Sequence, residues 1–139
     1  MAKTIATVLG VAFILVGLVG FIAPGFLGTH LSLVHNLVHL ISGAVSLYFG
    51  LKGTLAGARA FCLAFGAVYG LLGVAGFLLG GSGQHTVGGI SHGTDSRLLA
   101  VIPGQLELGS VDHTLHILLG IVYLVGGLLT RADLNRSVD

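Results

Sequence analysis

Between Lys3 and Lys52, between Arg59 and Asp95, and between Asp112 and Arg131 the chain carries no charged side chain. Soluble domains are about 25% charged, whereas this chain is 8% charged with a mean hydropathy of +1.01. A bilayer core about 30 Å thick takes about 20 apolar residues as a helix, and about 17 is the practical minimum. The gaps hold four such stretches, at 4–22, 35–51, 60–80 and 113–130. The expected fold class is therefore all-α and integral to the membrane, with four transmembrane helices in one domain of 139 residues. Its surroundings are then the lipid bilayer. Each stretch is close to the minimum length, so little tilt is expected.

The four stretches are not independent. Residues 34–50 (VHNLVHLISGAVSLYFG) align without gaps on 111–127 (VDHTLHILLGIVYLVGG), matching His39 with His116, Gly43 with Gly120 and Leu47 with Leu124. Among the positions where the copies differ, His35 faces Asp112 and Asn36 faces His113. Residues 9–21 likewise align on 65–77, matching Gly10 with Gly66, Gly17 with Gly73, Gly20 with Gly76 and Phe21 with Phe77. The two prolines, Pro24 and Pro103, each precede a glycine in the segment leading to a histidine helix. This pattern predicts two helix hairpins, spans 1–2 and 3–4, related by duplication. Because each half crosses the membrane twice, both halves enter in the same direction. The result is a parallel repeat about an axis along the membrane normal, unlike the inverted repeats of many transporters.

Lys3, Lys52, Arg59, Arg131 and Arg136 fall at the N-terminus, the span 2–3 connection and the C-terminus; the opposite side has Arg97 with Asp95, Glu107 and Asp112. The positive-inside rule puts both termini in the cytoplasm, with the connections 23–34 and 81–111 outside. His35 and Asp112 then mark the outer ends of spans 2 and 4, with His39 and His116 about 6 Å deeper, four residues on at a rise of 1.5 Å. The apolar N-terminus resembles a secretory signal, but its full partner in span 3 argues for a retained helix. Cys62 is the lone cysteine and says nothing about redox compartment.

Lipid provides no hydrophobic drive for helix association, so close backbone approach through small residues must supply it. Gly66, Gly70, Gly73, Phe77 and Gly80 recur at i+3 and i+4 and form one face of span 3; Gly10, Gly17 and Phe21 form the matching face of span 1. These glycines are the expected helix-packing residues.

Histidine seldom occurs within membrane helices. His35 and His39 are i, i+4 and share a face, as do Asp112 and His116. Three readings remain open. His39 and His116 can be axial ligands of a haem b, or one of them of a (bacterio)chlorophyll, with His35 and Asp112 in support. Three histidines and an aspartate can form a tetrahedral zinc site. Alternatively, these polar groups hydrogen-bond one another and nearby carbonyls, fixing the helix ends. His30, His85 and His92 lie in connections and are expected to be solvated.

The H-N-x-x-H start of span 2, the D-x-x-x-H start of span 4 and the G-x-x-G-F ends of spans 1 and 3 resemble an uncharacterised bacterial family. Its members are small four-helix membrane proteins carrying a domain of unknown function. The resemblance covers nearly the whole chain except 82–97, with departure expected at 81–94. It implies a fold and a multi-pass position in the bacterial cytoplasmic (inner) membrane, not an activity.

No nucleophile stands with a base, no carboxylates pair within a span, and no phosphate-binding loop or nucleic-acid-binding pattern occurs. No carboxylate sits mid-span, as ion translocation usually requires. The expectation is a non-catalytic protein, not an enzyme, with no nucleic-acid partner. It is read as a small accessory or structural subunit beside a larger membrane-protein partner. The alternative is a haem- or pigment-binding protein. The outer connection 81–111, polar in its first half, is long for an isolated bundle and is a segment that a partner could order.

Overall fold

The computed structural model describes residues 1–87 and 93–130. Four helices, α1 (Ala2–Gly20), α2 (Leu33–Leu51), α3 (Leu55–Leu79) and α4 (Ser110–Leu129), are each long and apolar enough to cross a membrane. Their starts lie two to five residues before the sequence-based bounds, and at α2 and α3 a polar cap sets the start. Ser32 Oγ accepts from His35 N–H at 3.2 Å, and Thr54 Oγ1 from Gly57 N–H at 3.0 Å. Each cap satisfies one of the amides that a helix start leaves without an internal partner. Arg59 thereby falls inside α3, where its Nε donates to the Gly127 carbonyl at 3.1 Å, placing a cation against the last turn of α4.

α1 packs chiefly on α2 and α3 on α4, while the two pairs meet more sparsely. Equivalent positions make the close approaches in both pairs. A Cβ at Gly10 would stand 2.9 Å from Leu47 N and 3.1 Å from Gly43 O; at Gly66 it would stand 2.8 Å from Leu124 N and 2.9 Å from Gly120 O. Gly17 faces Asn36 and Leu40, and Gly73 faces His113 and Ile117. Gly70 differs. A Cβ there meets nothing within 4 Å, whereas one at Gly120 would lie 2.6 Å from Gly70 N. The missing side chain that matters at that crossing is therefore Gly120's.

Between the pairs sits an aromatic core: Phe13 and Tyr69 at 5.2 Å between ring centroids, and Phe65 and Tyr123 at 5.4 Å. The fully buried Tyr123 hydroxyl meets Ser46 Oγ at 2.8 Å, and Ser46 donates to the Ala6 carbonyl at 2.7 Å. At one end of the bundle Thr130 Oγ1 accepts from Ala2 N–H at 2.7 Å. The segment between α1 and α2 and the segment between α3 and α4 meet at the other end, where Ser32 Oγ donates to the Gln105 carbonyl at 2.6 Å.

That other end corrects the all-α expectation. The connection after α3 contains β1 (Gly81–Gln84), β2 (Thr94–Ile102) and β3 (Leu106–Leu108), a three-stranded antiparallel sheet in the order β1-β2-β3. β2 turns into β3 through Ile102-Pro103-Gly104-Gln105, closed by Gln105 N–H to the Ile102 carbonyl at 2.9 Å, with Gly104 at φ +74. Proline first and a positive-φ glycine second is the type II pattern. The other proline sits in a different turn, Ala23 to Phe26, where Gly25 has φ −96. The two Pro-Gly pairs thus share a sequence but not a conformation.

Candidate functional site

The sheet caps the bundle end that bears the histidines, and its acidic residues fasten it there. Asp95 of β2 accepts from Ser110 N–H at 2.9 Å and Ser110 Oγ–H at 2.7 Å, supplying α4 with an N-terminal anion from another element. Asp112, in the first turn, accepts from Gly109 N–H at 2.8 Å. The buried Glu107 accepts from the amides of Thr86 and Gly104, both at 2.8 Å, and from the Thr86 hydroxyl, and its carboxylate lies 3.2 Å from His85 Nδ1. Burial on its own would raise the pKa of Asp95; the hydrogen bonds from Ser110 and the Arg97 amide outweigh it and hold the group below its ordinary 3.8. Glu107 is likewise held below 4.5, with burial opposed by the Thr86 and Gly104 hydrogen bonds and by His85.

Within the chain itself, the connection after α3 is fastened through Asp95 and Glu107. His30 and His85, expected to be solvated, are instead covered: their side chains are 3% and 2% exposed, and their rings stack at 3.4 Å. His92 lies outside the described residues, as do Arg131 and Arg136.

Beneath the cap, His35, His39 and His116 converge, all buried, with one ring nitrogen from each lying within 4.8 Å of the other two. The arrangement follows the aligned halves. His39 packs on Phe13 of α1 at 5.4 Å, and His116 on Tyr69 of α3 at 5.3 Å; Phe13 and Tyr69 are themselves equivalent positions. His35 approaches His39 at 4.4 Å and His116 at 6.0 Å between centroids. Its Nδ1 donates to the His30 carbonyl at 2.8 Å, since a carbonyl can only accept; Nε2 therefore carries the lone pair. Nδ1 of His39 and Nδ1 of His116 are buried without a hydrogen-bond partner.

Asp112 stands at the position equivalent to His35 but does a different job. Its carboxylate accepts from His30 Nδ1–H at 3.0 Å and from His30 N–H at 3.3 Å, so it positions the residue whose carbonyl orients His35. Asn36 and His113, also equivalent, both tie down the preceding segment: Asn36 Nδ2 donates to the Leu31 carbonyl at 3.4 Å and His113 Nε2 to the Arg97 carbonyl at 2.7 Å. Their partners across the helix pair are Gly20 and Gly76. Sequence reasoning found the four residues His35, His39, Asp112 and His116 but missed His30, whose link to Asp112 spans 82 positions and leaves no local signal.

Beside the cluster lies a cavity of about 170 Å³, lined by His35, His39, Asp112 and His116 on one side and by apolar residues of α1, α4 and the 26–29 turn on the other. Within that turn Leu27 has φ 56 and ψ 18, a left-handed conformation that costs a non-glycine residue about 1–2 kcal/mol. Strain of this kind tends to collect at functional sites. The arrangement can accept a small ligand and supply it with imidazole nitrogens.

No curated protein and no solved structure matches this chain. A family model does match, over residues 3–104, taking in His35, His39 and the whole of β2, and ending before Asp112 and His116. The matched stretch runs through residues 82–97, the part expected to fall outside the resemblance. The chain belongs to the family defined by the Domain of unknown function (DUF4383).

Proposed function

We propose that this chain is a non-catalytic, single-domain protein of the bacterial cytoplasmic membrane. It crosses four times with both termini inside, and it serves as a small accessory subunit of a larger membrane complex. The carrying observation is the division of side chains: Val8, Leu15, Ile41, Leu71, Ile121 and Leu128 are exposed along the helices, while most of the buried polar groups gather inward at one end. The matched glycine contacts of the two hairpins support a parallel duplication about an axis along the membrane normal. With Lys3, Lys52 and Arg59 at the end opposite the cap, the cap faces outward.

Two experiments test the reading. In a Cys62→Ser background, Ser82→Cys should react with a membrane-impermeant maleimide in intact cells, and Gly53→Cys only after permeabilisation. The reverse pattern overturns the orientation. Native membranes solubilised in mild detergent should yield the chain in a particle much larger than its own 14.1 kDa plus micelle. Migration on its own ends the subunit reading.

A tetrapyrrole between His39 and His116 is less well supported. His35 stands within 4.8 Å of both, in the space a macrocycle needs. The cavity of about 170 Å³ is below the roughly 300–1,000 Å³ of sites that hold drug-sized ligands. A Soret or chlorin band in the purified protein, lost in His39→Leu/His116→Leu, would restore that alternative.

A further inference from the structure

We propose that His35, His39 and His116 form a binding site for one divalent transition-metal cation of the zinc class, with a fourth coordination position open toward the cavity. The proposal concerns the isolated chain and does not depend on membership of a larger complex.

The ligand set comes first. Three imidazoles from two helices place one nitrogen each within 4.8 Å of the others. A tetrahedral ion with metal–nitrogen distances of about 2.0–2.1 Å needs them roughly 3.4 Å apart. With His35 fixed, rotations of the His39 and His116 rings, which pack on Phe13 and Tyr69, close that gap. Imidazole suits zinc, copper, nickel and iron; magnesium and calcium require oxygen ligands that this cluster does not offer.

The second observation is independent of ligand spacing. Buried polar atoms without a partner cost about 1–3 kcal/mol each, and folded proteins rarely leave them. Here two of the three rings leave Nδ1 in that condition, and both rings line the cavity. A coordinated cation gives both rings an ionic partner.

Third, the ring that does have a hydrogen bond has the one a metal ligand needs. His35 Nδ1–H is taken by the His30 carbonyl, which leaves Nε2 available and fixes the ring plane. His30 is held in turn by Asp112, whose carboxylate lines the same cavity and offsets part of the cation's charge. At this position the halves carry different ionisable groups, His35 and Asp112. A histidine where the second half has aspartate turns a symmetric pair into a tripod with an acid beside it.

Three protein ligands with an open fourth position characterise zinc sites that bind an exchangeable water or small ligand, whereas structural zinc sites are closed by four. The fourth ligand here is a water or small anion in the cavity under Leu27.

The test uses the full chain, purified in detergent with a non-histidine tag and stripped with EDTA. Cobalt(II) alone is titrated, followed by zinc(II). One cobalt per chain should bind, with the intense visible bands of a four-coordinate ion, and zinc should displace it. His39→Gln and His116→Gln should each abolish these bands, and Asp112→Asn should weaken binding by roughly 10–100-fold. His85→Gln should leave the stoichiometry unchanged. No saturable binding, a weak octahedral spectrum, or full retention in both ligand variants overturns the proposal. If the ligand variants do not fold, the wild-type spectrum and stoichiometry decide it alone.

Discussion

Gly66 and Gly70 lie one turn apart on the same helix, yet alanine should act on them in opposite directions. At Gly66 the new methyl would stand 2.8 Å from Leu124 N and 2.9 Å from Gly120 O. Both are backbone atoms, so no rotamer change relieves the clash, and α4 must retreat by about 0.6 Å to restore a contact of 3.4 Å. Overpacking of this kind costs about 1–3 kcal/mol, against a helix-propensity gain of up to about 1 kcal/mol for Gly→Ala. Gly66→Ala should therefore lose about 1–2 kcal/mol. At Gly70 the methyl meets nothing within 4 Å, leaving only the propensity gain, so Gly70→Ala should be neutral or more stable by up to about 1 kcal/mol. Gly10→Ala, in the other hairpin, should resemble Gly66→Ala, and the two should add because their contacts are not shared. Reversible unfolding in detergent, followed by far-UV circular dichroism, measures all four proteins. A Gly66→Ala chain as stable as wild type, or a Gly70→Ala chain less stable than Gly66→Ala, would refute the packing argument.

Glu107→Ala removes the acceptor for two amides and a hydroxyl, so amides of β1 and β3 should exchange faster, with local opening easier by about 1.5–3 kcal/mol and the four helices unaffected; equal protection in the variant speaks against the fastening role. Asp95 and Glu107 have pKa values lowered in the folded cap, so their stabilisation is fully present above their ordinary 3.8 and 4.5 and is lost as pH falls through the lower folded values. Cap exchange rates, corrected for intrinsic chemistry, should thus stay level from neutral pH down to about 4.5 and rise only in stronger acid; opening between pH 5 and 7 would contradict this. Ser46→Ala strands the buried Tyr123 hydroxyl and should cost about 1–3 kcal/mol, more than Tyr123→Phe, because Ser46 keeps the Ala6 carbonyl when the phenol is gone; the detergent melts should rank them so.

The helices were legible because hydrocarbon forces every backbone group to be paired within its own segment, so long uncharged runs have few alternatives. Spacing also identified Gly10, Gly17, Gly66 and Gly73 as contact positions. Gly70 too lies at a close crossing, but through its backbone; periodicity assigns a residue to a face without saying which partner lacks the side chain. The sheet went unread, although TDSRLLAVI, then Pro-Gly, then LEL is a strand–turn–strand signal. Its attachment to the bundle depends on Asp95 and Glu107 reaching the amides of Ser110 and Thr86, and no local pattern records that. The convergence of His39 and His116 followed from the aligned halves. The position of His35 beside both, and the use of Asp112 to hold His30, followed from neither alignment nor spacing.

The Ser46–Tyr123 hydrogen bond joins two positions that are equivalent in the aligned halves. Two copies of the first hairpin would face serine with serine, leaving a phenol-sized void; two copies of the second would drive two phenols into the space of one. Neither hairpin can therefore stand in for the other. Expressed as separate polypeptides, each should find the unlike half in preference to its own kind. The two hairpins are lock and key at this contact, and neither is complete without the other.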